Sequence, residues 1–373
     1  MKILHVVGAR PNFMKIAPVM REMAGDPETF DQFLVHTGQH YDPKLSRVFF
    51  EELELPRPDA NLEVGSGSHA WQTAQVMLRF ERVLLDFQPD WVVVVGDVNS
   101  TLACALVCSK LAVKVAHVEA GLRSYDRNMP EEINRLLTDQ ISDLLFTPSQ
   151  DANDNLIQEG IYPEKLHLVG NVMIDTLVRL LPKAHARWPQ LQEQFDLHRF
   201  LLVTLHRPSN VDDRRSLEEV LAALEEVSRD VPVLFPVHPR TRERIEEFGL
   251  LPANSRLHLL QPFGYLDFLA LQAHAALVLT DSGGIQEETT YLGVPCLTAR
   301  ANTERPVTIT LGTNQLVGSD RQALVAAIHN RLSAKEQSRQ VPPLWDGQAA
   351  KRIVAVFSED AFSEDAFSKI RKA

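Results

Sequence analysis

Between residue 1 and about residue 170, short Val/Ile/Leu runs alternate with stretches whose apolar positions follow helical spacing. A parallel sheet covered by helices on both faces reads this way, because its strands are buried and each crossover needs a helix. The pattern predicts strands at Lys2–Val7, Phe33–His36, Trp91–Val95, Val113–Val118, Leu144–Thr147 and His167–Leu168. It restarts with Phe200–Leu205, Val231–Val237, Leu257–Leu260, Leu277–Thr280 and Cys296–Thr298. Leu180–Leu197, polar and helix-forming with no strand signal, separates the two sets and is read as the domain junction. The expectation is an α/β chain of two doubly wound domains, over 1–175 and 190–345, with a C-terminal helix over 346–373 packing back on the first. In each domain ligands should bind at the carboxyl edge of the sheet.

The length of 373 residues fits two hydrophobic cores better than one. A net charge of −11 argues against nucleic acid or an anionic membrane as partner. No apolar run is long enough to span a bilayer, and Met1–Gly8 lacks the length and cleavage pattern of a signal peptide, so a cytoplasmic protein is expected. Cys104 and Cys108 stand at i, i+4 without the further ligands zinc needs, and with Cys296 they read as buried small hydrophobes; no metal is expected. In the tail, Phe357–Ala361 is repeated at once as Phe362–Ala366, a period that matches neither a helix face nor a strand and reads as a solvated extension.

Candidate chemistry gathers at predicted strand ends. Strand Trp91–Val95 runs into Gly96-Asp97, then a helix, then strand Val113–Val118 ending in Glu119-Ala120-Gly121. Right-handed crossover brings Asp97 and Glu119 out at the same edge. In Pro130-Glu131-Glu132, Pro130 suits the first turn of a helix and puts Glu131 or Glu132 at its positive end. Strand Phe200–Leu205 ends in His206-Arg207, and His238 follows the next strand between Pro236 and Pro239. In Asp281-Ser282-Gly283-Gly284-Ile285-Gln286-Glu287-Glu288, small residues open a helix whose N–H groups could cradle a diphosphate, with a glutamate one turn on that could accept from both ribose hydroxyls. Arg300 and Arg305 could neutralise phosphate, although loop arginines are ordinarily solvated. The first strand ends in Gly8-Ala9-Arg10-Pro11-Asn12, without a dinucleotide fingerprint, and no P-loop occurs; no redox or ATP cofactor is expected.

Taken together, these motifs resemble the non-hydrolysing UDP-N-acetylglucosamine 2-epimerases. The likeness runs through Gly8–Pro11 with Lys15, Gly96-Asp97, His117-Val118-Glu119-Ala120-Gly121-Leu122-Arg123, Pro130-Glu131-Glu132 with Asn134-Arg135, His206-Arg207, Asp281–Glu288, Glu304-Arg305-Pro306 and Asp346-Gly347-Gln348-Ala349. It implies the GT-B architecture, two Rossmann-like domains facing a cleft, the first catalytic and the second UDP-binding. It implies Asp97, Glu119 and Glu131 as acid/base carboxylates and His206 as an essential histidine near the diphosphate. Arg10 and Lys15 are implied as ligands from the first domain. Ser282, Gly283 and Gly284 are implied as the phosphate loop, Glu288 as the ribose contact, Arg305 and His238 as further nucleotide contacts, and Phe268 as the residue beside uracil. Family members are usually homodimers, and several bacterial ones carry an allosteric site on a segment equivalent to Thr37–Tyr41. The chain departs from the family at Asn12, usually Glu, at Pro208-Ser209-Asn210, usually Arg-Glu-Asn, and at Phe263, usually Gln.

The implied reaction interconverts UDP-N-acetylglucosamine and UDP-N-acetylmannosamine. Carbon 2 has no adjacent carbonyl, so direct deprotonation leaves a carbanion with nowhere to delocalise. Eliminating UDP across carbons 1 and 2 to a 2-acetamidoglucal, then adding it back with the proton on the other face, avoids that carbanion. Elimination is anti from one epimer and syn from the other, which suits several carboxylates around one ring. A GT-B glycosyltransferase, a hydrolysing epimerase and a silent UDP-sugar sensor are the alternatives; solvent-proton exchange at carbon 2 separates the epimerase from the transferase and the sensor, and release of free N-acetylmannosamine would identify the hydrolysing enzyme.

Overall fold

The computed structural model describes residues 1–39, 52–251, 256–334 and 340–371; the side chains of Arg10 and of 362–371 are outside that description. The chain forms two units, Met1–Val178 with Pro343–Ala373, and Arg179–Pro342.

In the first unit the strands are β1 (Lys2–Val7), β2 (Asp31–His36), β3 (Ala60–Asn61), β4 (Trp91–Val95), β5 (Lys114–Val118), β6 (Leu144–Thr147) and β7 (Leu166–Leu168). They pair in the order β3-β2-β1-β4-β5-β6-β7, all parallel. Its helices are α1 (Arg10–Ala24), α2 (His69–Phe87), α3 (Asn99–Leu111), α4 (Pro130–Ile141) and α5 (Gln150–Gln158), followed by α6 (Val172–Phe195). β4 is buried along its whole length, which is why it reads as an unbroken apolar run. On α2 the buried positions Gln72, Val76, Phe80 and Leu84 recur every fourth residue and form one face.

The second unit holds β8 (Leu201–Thr204), β9 (Val233–Pro236), β10 (Leu257–Leu260), β11 (Leu277–Thr280), β12 (Cys296–Thr298) and β13 (Asn314–Leu316) in the parallel order β10-β9-β8-β11-β12-β13. Its helices are α7 (Pro208–Val211), α8 (Arg214–Val227), α9 (Pro239–Phe248), α10 (Tyr265–His274), α11 (Gly283–Leu292), α12 (Val307–Thr310) and α13 (Arg321–Ser333). Its core includes Leu201, Val203, Phe235, Leu277, Leu279 and Leu297 from the strands and Leu217, Val220, Leu221 and Leu224 from α8.

In each sheet the winding direction reverses once, between β1 and β4 in the first and between β8 and β11 in the second. Loops leaving the carboxyl ends of such a strand pair diverge to opposite faces and open a crevice there. Gly8 and Gly96-Asp97 follow one pair; His206 and Asp281-Ser282 lie just beyond the other.

The stretch read as a junction, Leu180–Leu197, is largely inside the single helix α6, which runs through the point where the units divide. In the tail, where a C-terminal helix was expected over 346–373 but the repeat itself was read as a solvated extension, the final helix α14 (Ala349–Arg371) continues through both copies of the repeat. Phe357 is fully buried, its ring 5.6 Å from Trp91 and 5.7 Å from Phe146, and Asp360 accepts from Trp91 Nε1 at 3.0 Å. A five-residue offset turns a helix by about 140°, so the copies cannot share a face, and only the first copy's packing lies among the described side chains. At the start of α14, Asp175 accepts from the amides of Ala349 and Ala350 at 3.1 and 2.7 Å. Among the described residues no helix is long and apolar enough to cross a membrane.

Candidate active site

At the switch point of the first unit the backbone turns tightly. Asn12, on the first turn of α1, accepts from the amides of Gly8 and Ala9 at 3.1 and 3.0 Å and donates to Val95 O at 2.9 Å. The family's usual glutamate is therefore replaced by a residue that clamps the ends of β1 and β4. Lys15 is buried further along α1 and pairs with the buried Glu119 carboxylate. Gly96 adopts φ +67°, and a Cβ there would lie 2.8 Å from Lys15 Nζ and 3.4 Å from Glu119 Oε2. Glycine thus serves both the left-handed turn and the close approach. Glu119 itself has φ +69°, a conformation that costs a non-glycine residue about 1–3 kcal/mol and persists where surrounding contacts enforce it.

Asp97, the next residue after Gly96, has one carboxylate oxygen held by Arg135 through Nε at 3.0 Å and Nη2 at 2.6 Å. Asn134 on the same helix donates to Asp97 O at 2.9 Å. The sequence left Glu131 and Glu132 as alternatives, and their surroundings differ. Glu132 is buried and accepts from Ser124 N, Ser124 Oγ, Tyr125 N and Arg135, the last at 2.5 Å, so its carboxylate ties down the 124–125 loop. Glu131 is half-buried in the first turn of α4. It stands four residues before Arg135, hence on an adjoining part of the same helix face.

Three expected site residues of the first unit, Lys15, Asp97 and Glu119, thus gather around Gly96, with Glu131 on the helix that grips Asp97. The Arg10 side chain lies outside the described residues. So do His40 and Tyr41 of the segment matched to the allosteric site; Gln39 Oε1 accepts from Ser100 N and Oγ at 3.0 and 2.7 Å. Arg135 and His117 were quoted within the motifs but given no role, because each acts on a residue remote in sequence.

In the second unit Asp281 is the organising residue. It is fully buried, and its Oδ2 accepts from His206 N at 2.9 Å, Arg207 N at 2.8 Å and Asn210 Nδ2 at 3.0 Å. His206 Nδ1 lies 2.9 Å from Oδ1. Burial pushes the Asp281 carboxyl up, but His206 and these donors outweigh it and hold it below the usual range. The carboxylate therefore orients the half-exposed imidazole and leaves Nε2 for an outside partner. The His238 ring is 5.9 Å away, and its Nδ1 caps α9. Asn210, the residue of the Pro208-Ser209-Asn210 stretch that keeps the family's usual asparagine, also donates to Ala299 O at 3.0 Å.

Helix α11 begins at Gly283, with Ser282 as N-cap and no side-chain cap. Its first N–H groups have no partner within the helix, the arrangement that receives anions. A Cβ on Gly283 would lie 2.6 Å from Arg305 Cζ, so the guanidinium packs directly on the helix start. Arg300 and Arg305 are buried, contrary to the solvated state expected for loop arginines. Acidic partners hold them there: Arg305 Nε donates to Glu287 at 2.8 Å and Arg300 Nη1 to Glu304 at 2.7 Å, while Arg207 Nη2 reaches Glu304 at 3.3 Å.

Glu288 is buried on the next turn and accepts from Tyr265 Oη at 2.8 Å through Oε1, while Oε2 makes no hydrogen bond to the described residues. Burial pushes its carboxyl up to about 7 against the opposing contacts of Tyr265 and Gln272. Phe268 sits half-buried on α10, the helix that carries Tyr265. Phe263, the third departure, packs edge-on against Phe195 at 6.0 Å.

Residues 21–358 match the family model described as UDP-N-acetylglucosamine 2-epimerase. The chain is 43% identical over 367 residues to the UDP-N-acetylglucosamine 2-epimerase of Methanocaldococcus jannaschii, covering 96% of this chain and 99% of that one. It is 42% identical over 356 residues to the UDP-2,3-diacetamido-2,3-dideoxy-D-glucuronate 2-epimerase of Pseudomonas aeruginosa, covering 95% and 98%. The crystal structure of the M. jannaschii enzyme in complex with UDP-GlcNAc and UDP superposes with a TM-score of 0.90 at 43% identity, covering 96% of this chain and all of that one. The two-unit α/β fold is thus the GT-B-like fold of these enzymes, and the chain belongs to the UDP-N-acetylglucosamine 2-epimerase family.

Proposed function

We propose that this protein epimerises UDP-N-acetylglucosamine at carbon 2 to UDP-N-acetylmannosamine, by eliminating UDP to a 2-acetamidoglucal and adding it back. What carries the reading is the group around Gly96, where Asp97 and Glu119 are each paired with a cation, Arg135 and Lys15, and Glu131 begins the neighbouring helix. These carboxylates take and return the carbon-2 proton; a well-placed acid or base contributes about 10²–10⁴-fold. Arg10 and Lys15 bind from the first unit, Lys15 acting through Glu119. In the second unit Ser282, Gly283, Gly284, His206, Arg305 and His238 stabilise the departing diphosphate, Glu288 holds the ribose and Phe268 borders the uracil. The protein works as a cytoplasmic homodimer. An apolar stripe on α2, of Trp71, Leu78 and Leu85, supports the dimer.

In deuterated water, UDP-N-acetylglucosamine should acquire deuterium at carbon 2 in both epimers, followed by NMR and mass spectrometry. Sugar that stays unlabelled after prolonged incubation overturns the mechanism. The identity to the Pseudomonas enzyme makes UDP-2,3-diacetamido-2,3-dideoxy-D-glucuronate the second substrate to assay. A higher kcat/KM for it reassigns the substrate and leaves the chemistry intact.

A further inference from the structure

Beneath Gly96 lies a buried charged network that the proposed chemistry does not use. His117, on β5, is completely buried. Its Nε2 is 2.7 Å from Gly96 O, and its Nδ1 is 2.6 Å from Asp139 Oδ1. Asp139 Oδ2 accepts from Gly121 N at 3.1 Å and pairs with Arg123 Nη2 at 2.7 Å. Arg123 reaches on to Glu159 through Nε at 2.7 Å and Nη2 at 2.6 Å.

Both ring nitrogens of His117 face acceptors, a carbonyl and a carboxylate. A neutral imidazole has one donor and one acceptor and would set a lone pair against one of them; an imidazolium donates to both. Charge balance agrees, since His117 and Arg123 then alternate with Asp139 and Glu159. Asp139 stays ionised, because His117 and Arg123 outweigh its burial.

The two groups this pair grips are informative. Gly96 and Gly121 both have left-handed φ, +67° and +81°. Gly96 precedes Asp97, and Gly121 follows Glu119 by two residues. One histidine–carboxylate pair therefore ties the turn that presents Asp97 to the turn that presents Glu119, across adjacent strands.

We propose that His117, donating from both ring nitrogens, is a positioning residue that sets the separation of Asp97 and Glu119. This rests on the proposed epimerase chemistry, in which both carboxylates serve one sugar. A misplacement of about 1 Å costs on the order of 10²-fold in rate.

Two measurements test it. With ring-¹⁵N-labelled histidine at neutral pH, both His117 nitrogens of the wild-type protein should show directly bonded protons; a ring nitrogen without one overturns the proposal, whether or not any variant folds. His117→Phe keeps a planar ring and removes both donors. It should lower kcat and deuterium entry at carbon 2 together, by about 10²-fold, while UDP affinity from calorimetry stays within about twofold of wild type. A folded His117→Phe protein with kcat within about threefold of wild type overturns the proposal. Failure of wild-type protein to incorporate deuterium strikes the epimerase reading instead, so the two failures are distinct.

Discussion

Glu288 is deeply buried and is the residue proposed to hold the ribose. Its carboxyl, ordinarily near 4.5, is pushed up to about 7 mainly by desolvation. Because the folded state holds the proton more tightly than the unfolded chain, the group adds no cost below about pH 4.5, and stability is lost as pH rises towards 7. The full penalty above 7 is roughly 3 kcal/mol. Ribose hydroxyls donating to Oε2 would stabilise the ionised form, so UDP binding and ionisation should reinforce each other. UDP affinity is therefore expected to be about tenfold weaker at pH 6 than at pH 8, with proton release on binding, when calorimetry is run in buffers of different ionisation enthalpy. Glu288→Gln should flatten the part of this dependence that exceeds the titration of UDP itself; an unchanged profile would remove Glu288 from the nucleotide site. The helix position of Glu288 was legible, because strand, small residues and helix follow one another locally. Its Tyr265 partner was not, since that hydrogen bond spans 23 residues. Asp281, Arg135 and His117 were hidden for the same reason: each acts on backbone or side chains brought near only by sheet order.

At the scale of elements, alternation of apolar runs and helical patterns located β1, β4, β6, β10, β11 and β12 residue for residue. It missed β3, of 2 residues, and β13, of 3, whose sequences Ala-Asn and Asn-Gln-Leu carry no apolar run to leave a pattern. The C-terminal helix was expected, but the repeat within it was misread as solvated because its period matches no helix face, whereas one buried aromatic, Phe357, suffices to dock the first copy. Helix α2 shows the converse. Opposite its buried face, Trp71, Leu78 and Leu85 are 44%, 61% and 55% exposed and recur every seven residues. Seven residues turn a helix by about 700°, so these side chains form a straight apolar stripe. Such a stripe is normally covered, and in the proposed homodimer a second copy of the chain would cover it. Light scattering at micromolar concentration should give a dimer for the wild-type protein and a monomer for Leu78→Glu/Leu85→Glu. A wild-type monomer, or a variant that remains dimeric, would place the interface elsewhere or remove it.

For the whole molecule, the two sheets carry different chemistry at equivalent places. The switch point of the first unit presents carboxylates with buried cationic partners, suited to moving a proton. The switch point of the second presents a helix start, an oriented histidine and buried arginines, suited to holding a diphosphate. This division was foreseeable from sequence, since each motif follows a strand, but the cations that hold the carboxylates come from α1 and α4 and required the fold. If the units divide the labour this way, kinetic effects should divide with them. Asp97→Asn, Glu119→Gln and Glu131→Gln each remove an acid or base and leave the nucleotide contacts, so kcat should fall by about 10²–10⁴-fold while the Kd for UDP stays within about threefold. Arg305→Ala removes a guanidinium from the helix start, and hydrogen bonds to charged groups contribute about 1.5–3 kcal/mol; the Kd for UDP should therefore rise by roughly tenfold or more. Steady-state kinetics paired with UDP calorimetry on all four variants reads both quantities. A carboxylate variant that loses UDP affinity as severely as turnover would move that residue into the nucleotide site. Near-normal turnover in any of the three would strike that carboxylate from the proton-transfer group.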